Sequence, residues 1–371
     1  MKQSTIAMTA VLMTALIMLA GCGTGQAATP VEARPIRIGV SMPLTGEAAS
    51  LGEGAVAGIE YAIKEINAAG GIDGRTVEAI YEDDKCSKDG LTTLTKLVTV
   101  DNVDAIIGPF CSAAAGPGLP MVQRSGTPAI IFGSAPHLTT IGDYIFRIYP
   151  SDSFAGKFMA DYTFTTMGKT KAAIVYVKND WGQGIHDVFT QRYEELGGTI
   201  VFDDSLLQDQ QDTRTVLAKI RDAEPDVIVA PLYPAVALTF IKQAKELGID
   251  APIFGGDAME TDEVIKSGIA DGVMYTVAAI NNPDGFKAKV EQATGKQTNL
   301  GTPLGYDAIN VFADIMRKVG TDKQAVRDAL AEERYNGISS TVIEFDENGD
   351  LKAASYDVKL IKDGKAVPVI G

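Results

Sequence analysis

The chain has 371 residues, a formal net charge of −15, 46% apolar residues and 22% charged ones. An acidic excess of this size argues against nucleic acid, whose phosphates select basic patches. Two histidines and three cysteines, without His-x-x-x-His, Cys-x-x-Cys, Gly-x-Ser-x-Gly or a phosphate loop ending in Gly-Lys-Ser/Thr, give no metal, cofactor or hydrolase motif.

The chain opens with Lys2 and an apolar run from Ile6 to Leu19, ending in Leu19-Ala20-Gly21-Cys22. A short apolar run closed by small residues reads as an export signal. Its ending is similar to a bacterial lipobox, which predicts a signal peptide over 1–21, a lipidated Cys22 and a tether over 22–34. The alternative is an ordinary signal cleaved near Ala27-Ala28. No later segment approaches the roughly 20 apolar residues that span a bilayer. The expected location is therefore outside the cytoplasm, periplasmic or at the outer cell surface, with the protein held on the membrane by lipid at Cys22. With Cys22 lipidated, Cys86 and Cys111 remain, and an oxidising compartment makes a disulfide their simplest use.

From Ile36 onward, strands and helices alternate. Ile36 to Val40 is a short apolar strand. Gly54 to Ala69 carries Ala55, Ile59, Ala62, Ile63 and Ile66 at helical spacing and stops at Gly70-Gly71. Val77 to Tyr81 is a strand, Leu91 to Val100 a helix and Ala105 to Ile107 a strand. Leu119 to Ser125 is helical and Pro128 to Phe132 a strand. This is the pattern of a parallel sheet covered by helices on both faces.

The pattern restarts at Ala172 to Val177. A helix follows Asn179-Asp180-Trp181-Gly182, then come a strand from Thr199 to Asp203 and a helix from Thr213 to Asp222. Val103 to Pro109 matches Pro225 to Pro231, and Gly126 to Phe132 matches Ile249 to Phe254; Pro109 and Pro231 are 122 residues apart, and Pro128 and Pro252 are 124. Two near-equal offsets predict two lobes of one design. Ligands of open parallel sheets bind beyond the carboxyl ends of the strands, so the loops after matched strands are the candidate site.

Lobe one offers Phe110, Cys111 and Ser112 after one strand, and Gly133, Ser134 and Ala135 after the next. Ser112 precedes Ala113-Ala114-Ala115, where a helix can start, and a capped helix N-terminus suits an anion. Two such turns could hold one carboxylate. Lobe two offers Tyr233 and Asp257, and an acid there suits an ammonium through charge-assisted hydrogen bonds. Trp181, the sole tryptophan, follows Asp180 and can close over an apolar group or a cation. A carboxylate lobe and an ammonium lobe together point to an α-amino acid bridging a cleft that closes. The enzyme alternative is Cys111 as a nucleophile with His137 as base, an amidase-like reading that a disulfide would remove.

The stretches IRIGVSMPLTGEAASLGEGAVAGIEYAIKEINAAGGIDG, YEDDKCSKDG, IIGPFCSAAAGPGLP, GTPAIIFGSAPHLT, VKNDWGQG and FGGDAME resemble, in order and spacing, the periplasmic leucine/isoleucine/valine-binding proteins of bacterial ABC importers. The resemblance implies a type I periplasmic-binding fold of class α/β: two doubly wound parallel-sheet lobes joined by a three-strand hinge. It assigns 35–151 and 282–337 to lobe 1 and 152–281 and 338–371 to lobe 2, with crossings near Ser151, Asn281 and Gly337. It implies a Cys86–Cys111 disulfide. It assigns the ligand carboxylate to Ser112 and Ser134, with backbone help from Phe110 or Cys111 and from Phe132, and the ammonium to Asp257 and Tyr233. Leu51, Phe110, Tyr149 and Trp181 become the pocket wall, with Asp180 beside them. The implied function is that of a monomeric, non-enzymatic receptor without metal or cofactor. It delivers a small aliphatic or neutral, branched-chain-like amino acid to an ABC permease and its ATPase. The alternatives are a receptor for another small carboxylate, such as a γ-amino or aromatic acid, and a ligand sensor for a membrane signalling protein. Family members often carry Glu where Asp257 stands and Thr where Ser134 stands.

Overall fold

The computed structural model describes residues 34–46 and 48–369; the expected signal segment, Cys22 and nearly all of the tether lie outside the described residues. β1 (Ile36–Met42) is buried along almost its whole length, as a central parallel strand covered on both faces must be. α1 (Ala49–Ala68) follows, then β2 (Val77–Asp83), α2 (Gly90–Thr99), β3 (Ala105–Ile107), α3 (Ser112–Ser125), β4 (Ala129–Ile131) and β5 (Ile145–Arg147). These strands form one parallel sheet in the order β2-β1-β3-β4-β5.

The chain then builds a second sheet. It passes through α4 (Asp152–Asp161), β6 (Lys171–Val177), α5 (Asp180–Glu195), β7 (Thr199–Leu206), α6 (Arg214–Ala223), β8 (Val227–Ala230), α7 (Pro234–Glu246) and β9 (Ile253–Gly255) to α8 (Asp262–Ile265) and β10 (Met274–Ala278). Within this sheet, β7-β6-β8-β9-β10 run parallel in the same order as the first five strands. The internal repeat is therefore topological: the matched prolines at 109 and 231 follow β3 and β8, which sit at equivalent places. The class is α/β with two doubly wound sheets. A C-terminal hairpin, β11 (Tyr356–Lys362) and β12 (Lys365–Pro368), adds antiparallel strands beside β10, which the alternating pattern does not foretell.

α3 runs unbroken from Ser112, joining the helix start expected at Ala113–Ala115 to the helical stretch expected from Leu119, although Pro117 and Pro120 lie inside it. Proline removes an intrahelical donor, but α3 packs closely on α2: a Cβ at Gly118 would lie 2.5 Å from Leu94 Cδ1. Tertiary packing outweighs the local penalty. The same device joins α1 to α10 (Gly301–Val319), which comes after α9 (Asp284–Thr294) and before α11 (Lys323–Glu332). A Cβ on Gly58 would sit 1.9 Å from the Thr302 carbonyl oxygen, so only glycine lets these backbones meet.

Three segments pass between the sheets. The first contains Tyr149, Pro150 and Ser151, whose Oγ caps α4 by accepting from Ser153 N. The second contains Ala279 and Asn281, which donate to the carbonyls of Ser355 and Ser339. The third crossing falls later than the expected Gly337. Residues 343–351 still pack on the first sheet, with Arg147 N donating to Gly349 O at 2.8 Å and the Phe146 and Phe345 rings 5.3 Å apart. The chain leaves that sheet between Leu351 and Tyr356. Among the described residues, no helix is long and apolar enough to cross a membrane.

Candidate functional site

The carboxyl ends of both sheets meet over a cleft cavity with about 390 Å³ of atom-free space, part of it open to solvent. Lobe one contributes the turn after β3. Cys111 occupies the helix N-cap position with extended backbone, and Ser112 is the first residue of α3 rather than its cap. Ser112 is 1% exposed, and its Oγ accepts a 3.0 Å hydrogen bond from Ala135 N. That bond joins the two strand-end loops and leaves the Ser112 proton to be donated elsewhere. Ser112 and Ser134 both line the cavity, and Ser134 is buried as well. The positive end of α3 borders the same space.

Phe132 also lines the cavity, but its N–H donates to Pro109 O at 3.1 Å. Its backbone is therefore not a carboxylate donor, contrary to the expectation. A polar contact from Phe132 has to come from its carbonyl, which accepts and suits an ammonium. Its ring packs edge-on against Phe110, with centroids 5.6 Å apart.

Lobe two contributes a parallel stack of Trp181 and Tyr233, 4.9 Å between centroids and 6° between planes. Each stands at the N-terminal end of a helix, Trp181 on α5 and Tyr233 just before α7. Asp257 follows β9 on a short 3-10 turn and is 9% exposed. Its carboxylate accepts a hydrogen bond from the Tyr149 hydroxyl. Burial, opposed by the Tyr149 bond and by backbone N–H groups, raises the Asp257 pKa above the usual carboxylate range. The resemblance gives Tyr149 only as part of the pocket wall; burial first, and the Asp257 charge second, hold its phenol well above its ordinary pKa. Asp152, at the start of α4, is 1% exposed and is likewise pushed well up by burial and by the Asp257 charge.

Leu51, Phe110, Tyr149 and Trp181 all reach the cavity. Asp180 does not. Its carboxylate lies at the cleft rim, 3.8 Å from His137 Nε2, with both side chains about half exposed. As the first residue of α5, it sits outside while Trp181 next to it is buried. Ala258 and Leu300 complete the wall. Leu300 precedes α10, far from any matched strand end, so the strand-end rule does not reach it.

Cys86 and Cys111 form a disulfide with Cα atoms 5.2 Å apart. Cys111 therefore has no thiolate, and the nucleophile reading with His137 as base falls. Among the described residues, no group of three or more His, Cys, Asp or Glu side chains could hold a metal ion.

Two matched α/β lobes that bury hydroxyls, aromatic rings and one carboxylate around a single small cavity define a class of ligand-capturing, two-lobed proteins. A family model described as periplasmic binding protein matches residues 35–365, and the chain belongs to that family. Membership places it among exported, periplasmic-type substrate-binding proteins. It is similar to an "Amino acid binding protein" of Pseudomonas aeruginosa, 31% identical over 336 residues that cover 86% of this chain and 88% of that one. A leucine-, isoleucine-, valine-, threonine- and alanine-binding protein of the same organism is 28% identical, covering 90% of this chain and 92% of that one. Among solved structures, the branched-chain amino acid transporter substrate binding protein of Streptococcus pneumoniae in complex with isoleucine aligns with a TM-score of 0.82. It is 26% identical and covers 91% of this chain and 99% of that one. Their shared fold is the type I periplasmic-binding fold.

Proposed function

We propose that this protein is the substrate-binding component of an ABC importer, holding one small α-amino acid between its lobes and presenting it to a membrane permease. One observation carries the reading. A single buried cavity has the hydroxyls of Ser112 and Ser134 on one side and the Asp257 carboxylate on the other. A hydroxyl donor at the N-terminus of α3, with a second on the neighbouring loop, suits the ligand carboxylate, and a buried acid needs a cation. Tyr233 and Trp181 cover the ligand, and Leu51, Phe110, Ala258 and Leu300 set the room for its side chain. The ligands named for similar proteins, isoleucine among them, agree with this reading. The protein does no chemistry in this role. Cys22 carries the lipid that keeps it beside the permease, so globomycin should accumulate uncleaved precursor, and an unaffected maturation would refute the anchor.

A second reading has one observation in its favour. Phe110, Phe132, Tyr149, Trp181 and Tyr233 make the cavity strongly aromatic, which also suits a flat aromatic acid. Thermal shift of the mature protein against L-leucine, L-alanine, γ-aminobutyrate and benzoate separates the two, because a ligand that binds only the folded state raises the melting temperature by mass action. Stabilisation by an amino acid supports the proposal. Stabilisation by benzoate alone overturns it in favour of an aromatic-acid receptor.

A further inference from the structure

Arg147, the last residue of β5, is fully buried. A guanidinium with no exposure needs a counter-charge and hydrogen-bond acceptors. Nε donates to Asp350 Oδ1 at 2.6 Å, and Nη2 lies 2.5 Å from the same oxygen as an ion pair, without a hydrogen bond of its own. Nη1 turns the other way and donates to Ala135 O at 2.7 Å and to Gly133 O at 3.3 Å. Those two carbonyls flank Ser134. The Ser134 carbonyl is itself taken by Asp152 N at 2.8 Å. Three consecutive carbonyls are thus held by partners, Ala135 O also by Leu138 N at 3.1 Å, while the Ser134 side chain lines the cavity with the buried Asp152 carboxylate beside it.

We propose that Arg147 is a positioning residue for ligand capture: by holding the carbonyls of Gly133 and Ala135, it sets the Ser134 hydroxyl and the Ala135 N–H that engages Ser112. The part concerning the ligand carboxylate rests on the amino-acid reading above. A carbonyl facing the cavity would repel an anion. Arg147 binds two of the three candidates, and its charge lies behind the loop that receives the anion. The Ala135 N–H, fixed in the same loop, occupies a lone pair of Ser112 Oγ, so the Ser112 proton is left to point at the ligand. Fastening the 343–351 segment to β5 would need only Asp350 and the backbone bond from Arg147 N to Gly349 O. The two bonds from Nη1 serve the loop instead.

The test compares wild type, Arg147→Lys and the double variant Arg147→Met with Asp350→Leu, which removes both charges so that neither is left buried alone. Three quantities are measured on the whole mature protein: melting temperature, affinity for L-leucine and L-alanine by calorimetry, and ligand-free amide exchange over residues 133–136. The double variant is expected to melt near wild type, to bind at least tenfold more weakly and to exchange at least tenfold faster at Ala135. Wild-type affinity with a wild-type melting temperature overturns the proposal, whatever the exchange rate, because the pair is then a structural staple. Should the double variant fail to fold, Arg147→Lys decides. Lysine keeps the charge beside Asp350 but loses the fork that reaches both carbonyls, so weaker binding and faster exchange support the proposal and wild-type values for both overturn it. If neither amino acid binds wild type, the amino-acid reading fails on its own, and the exchange of Ala135 still accepts or rejects the positioning of the loop.

Discussion

The Tyr149 hydroxyl donates to the Asp257 carboxylate, linking the first crossing segment to the loop after β9 inside the cavity. The bond holds a buried acid in place before any cation arrives. On the proposed reading, Asp257→Asn removes the counter-charge of the ligand ammonium and weakens amino-acid binding by about 3–5 kcal/mol, two to three orders of magnitude or more. Calorimetry checks this, and near wild-type affinity would remove Asp257 from the site. Burial raises the Asp257 pKa, so its ionised form is lost at a higher pH than in an exposed aspartate. Amino-acid affinity is therefore expected to begin falling, as pH is lowered from neutral, sooner than an exposed aspartate would allow, and Asp257→Asn should lack that slope.

The Cys86–Cys111 disulfide closes a loop with a sequence separation of 25 and ends one residue before Ser112. Chain-entropy arguments put the stabilisation from such a loop at about 3 kcal/mol. Cys86→Ser with Cys111→Ser should lower the melting temperature by several degrees and weaken amino-acid binding, because the turn that carries Ser112 loses its tether. Thermal unfolding with and without reductant gives the same comparison on wild-type protein. Unchanged melting on verified reduction would show that packing alone fixes this turn.

Asp84 supplies a pH prediction away from the ligand. It is buried, and burial pushes its carboxyl up to about 6, against the pull of the Cys86 N–H and the Ser41 hydroxyl. The unfolded chain titrates near the ordinary aspartate value, so the folded state binds this proton more tightly. The group costs nothing below the unfolded pKa. Its destabilising contribution grows as pH rises through the folded pKa, to roughly 3 kcal/mol for a shift of about 2 units. Lowering the pH from 7 to 5 should thus relieve part of that cost, and Asp84→Asn should flatten the melting profile over this window. An identical profile in wild type and variant would contradict the assignment.

Much of the candidate site was legible because it follows from strand ends. Once β3 and β8 are recognised as matched, Phe110–Ser112 and Tyr233 fall at their carboxyl ends, and β4 and β9 place Ser134 and Asp257 in the same way. The chemistry of those loops then narrows the ligand: hydroxyls without Lys or Arg in one lobe, and an acid beside aromatic rings in the other. Asp180 was misread because neighbours on a helix point in different directions. Trp181 turns inward and Asp180 meets His137 at the rim. Phe132 was misread because its N–H is already committed to Pro109, a partner that only the folded loop brings near.

The α/β class, the two-lobe repeat, the pairing of Cys86 with Cys111 as the simplest use of two cysteines, and the loops placed to meet a ligand are all readable along the chain. These follow from local periodicity, turn chemistry and spacing, which a linear chain displays. Folding alone brings Leu300 to the wall, carries the third crossing past Leu351 and sets Arg147 against the carbonyls that flank Ser134. Each depends on contacts distant along the chain, Arg147 and Asp350 being 203 residues apart. A buried charge shows its role only when the groups that satisfy it are in view.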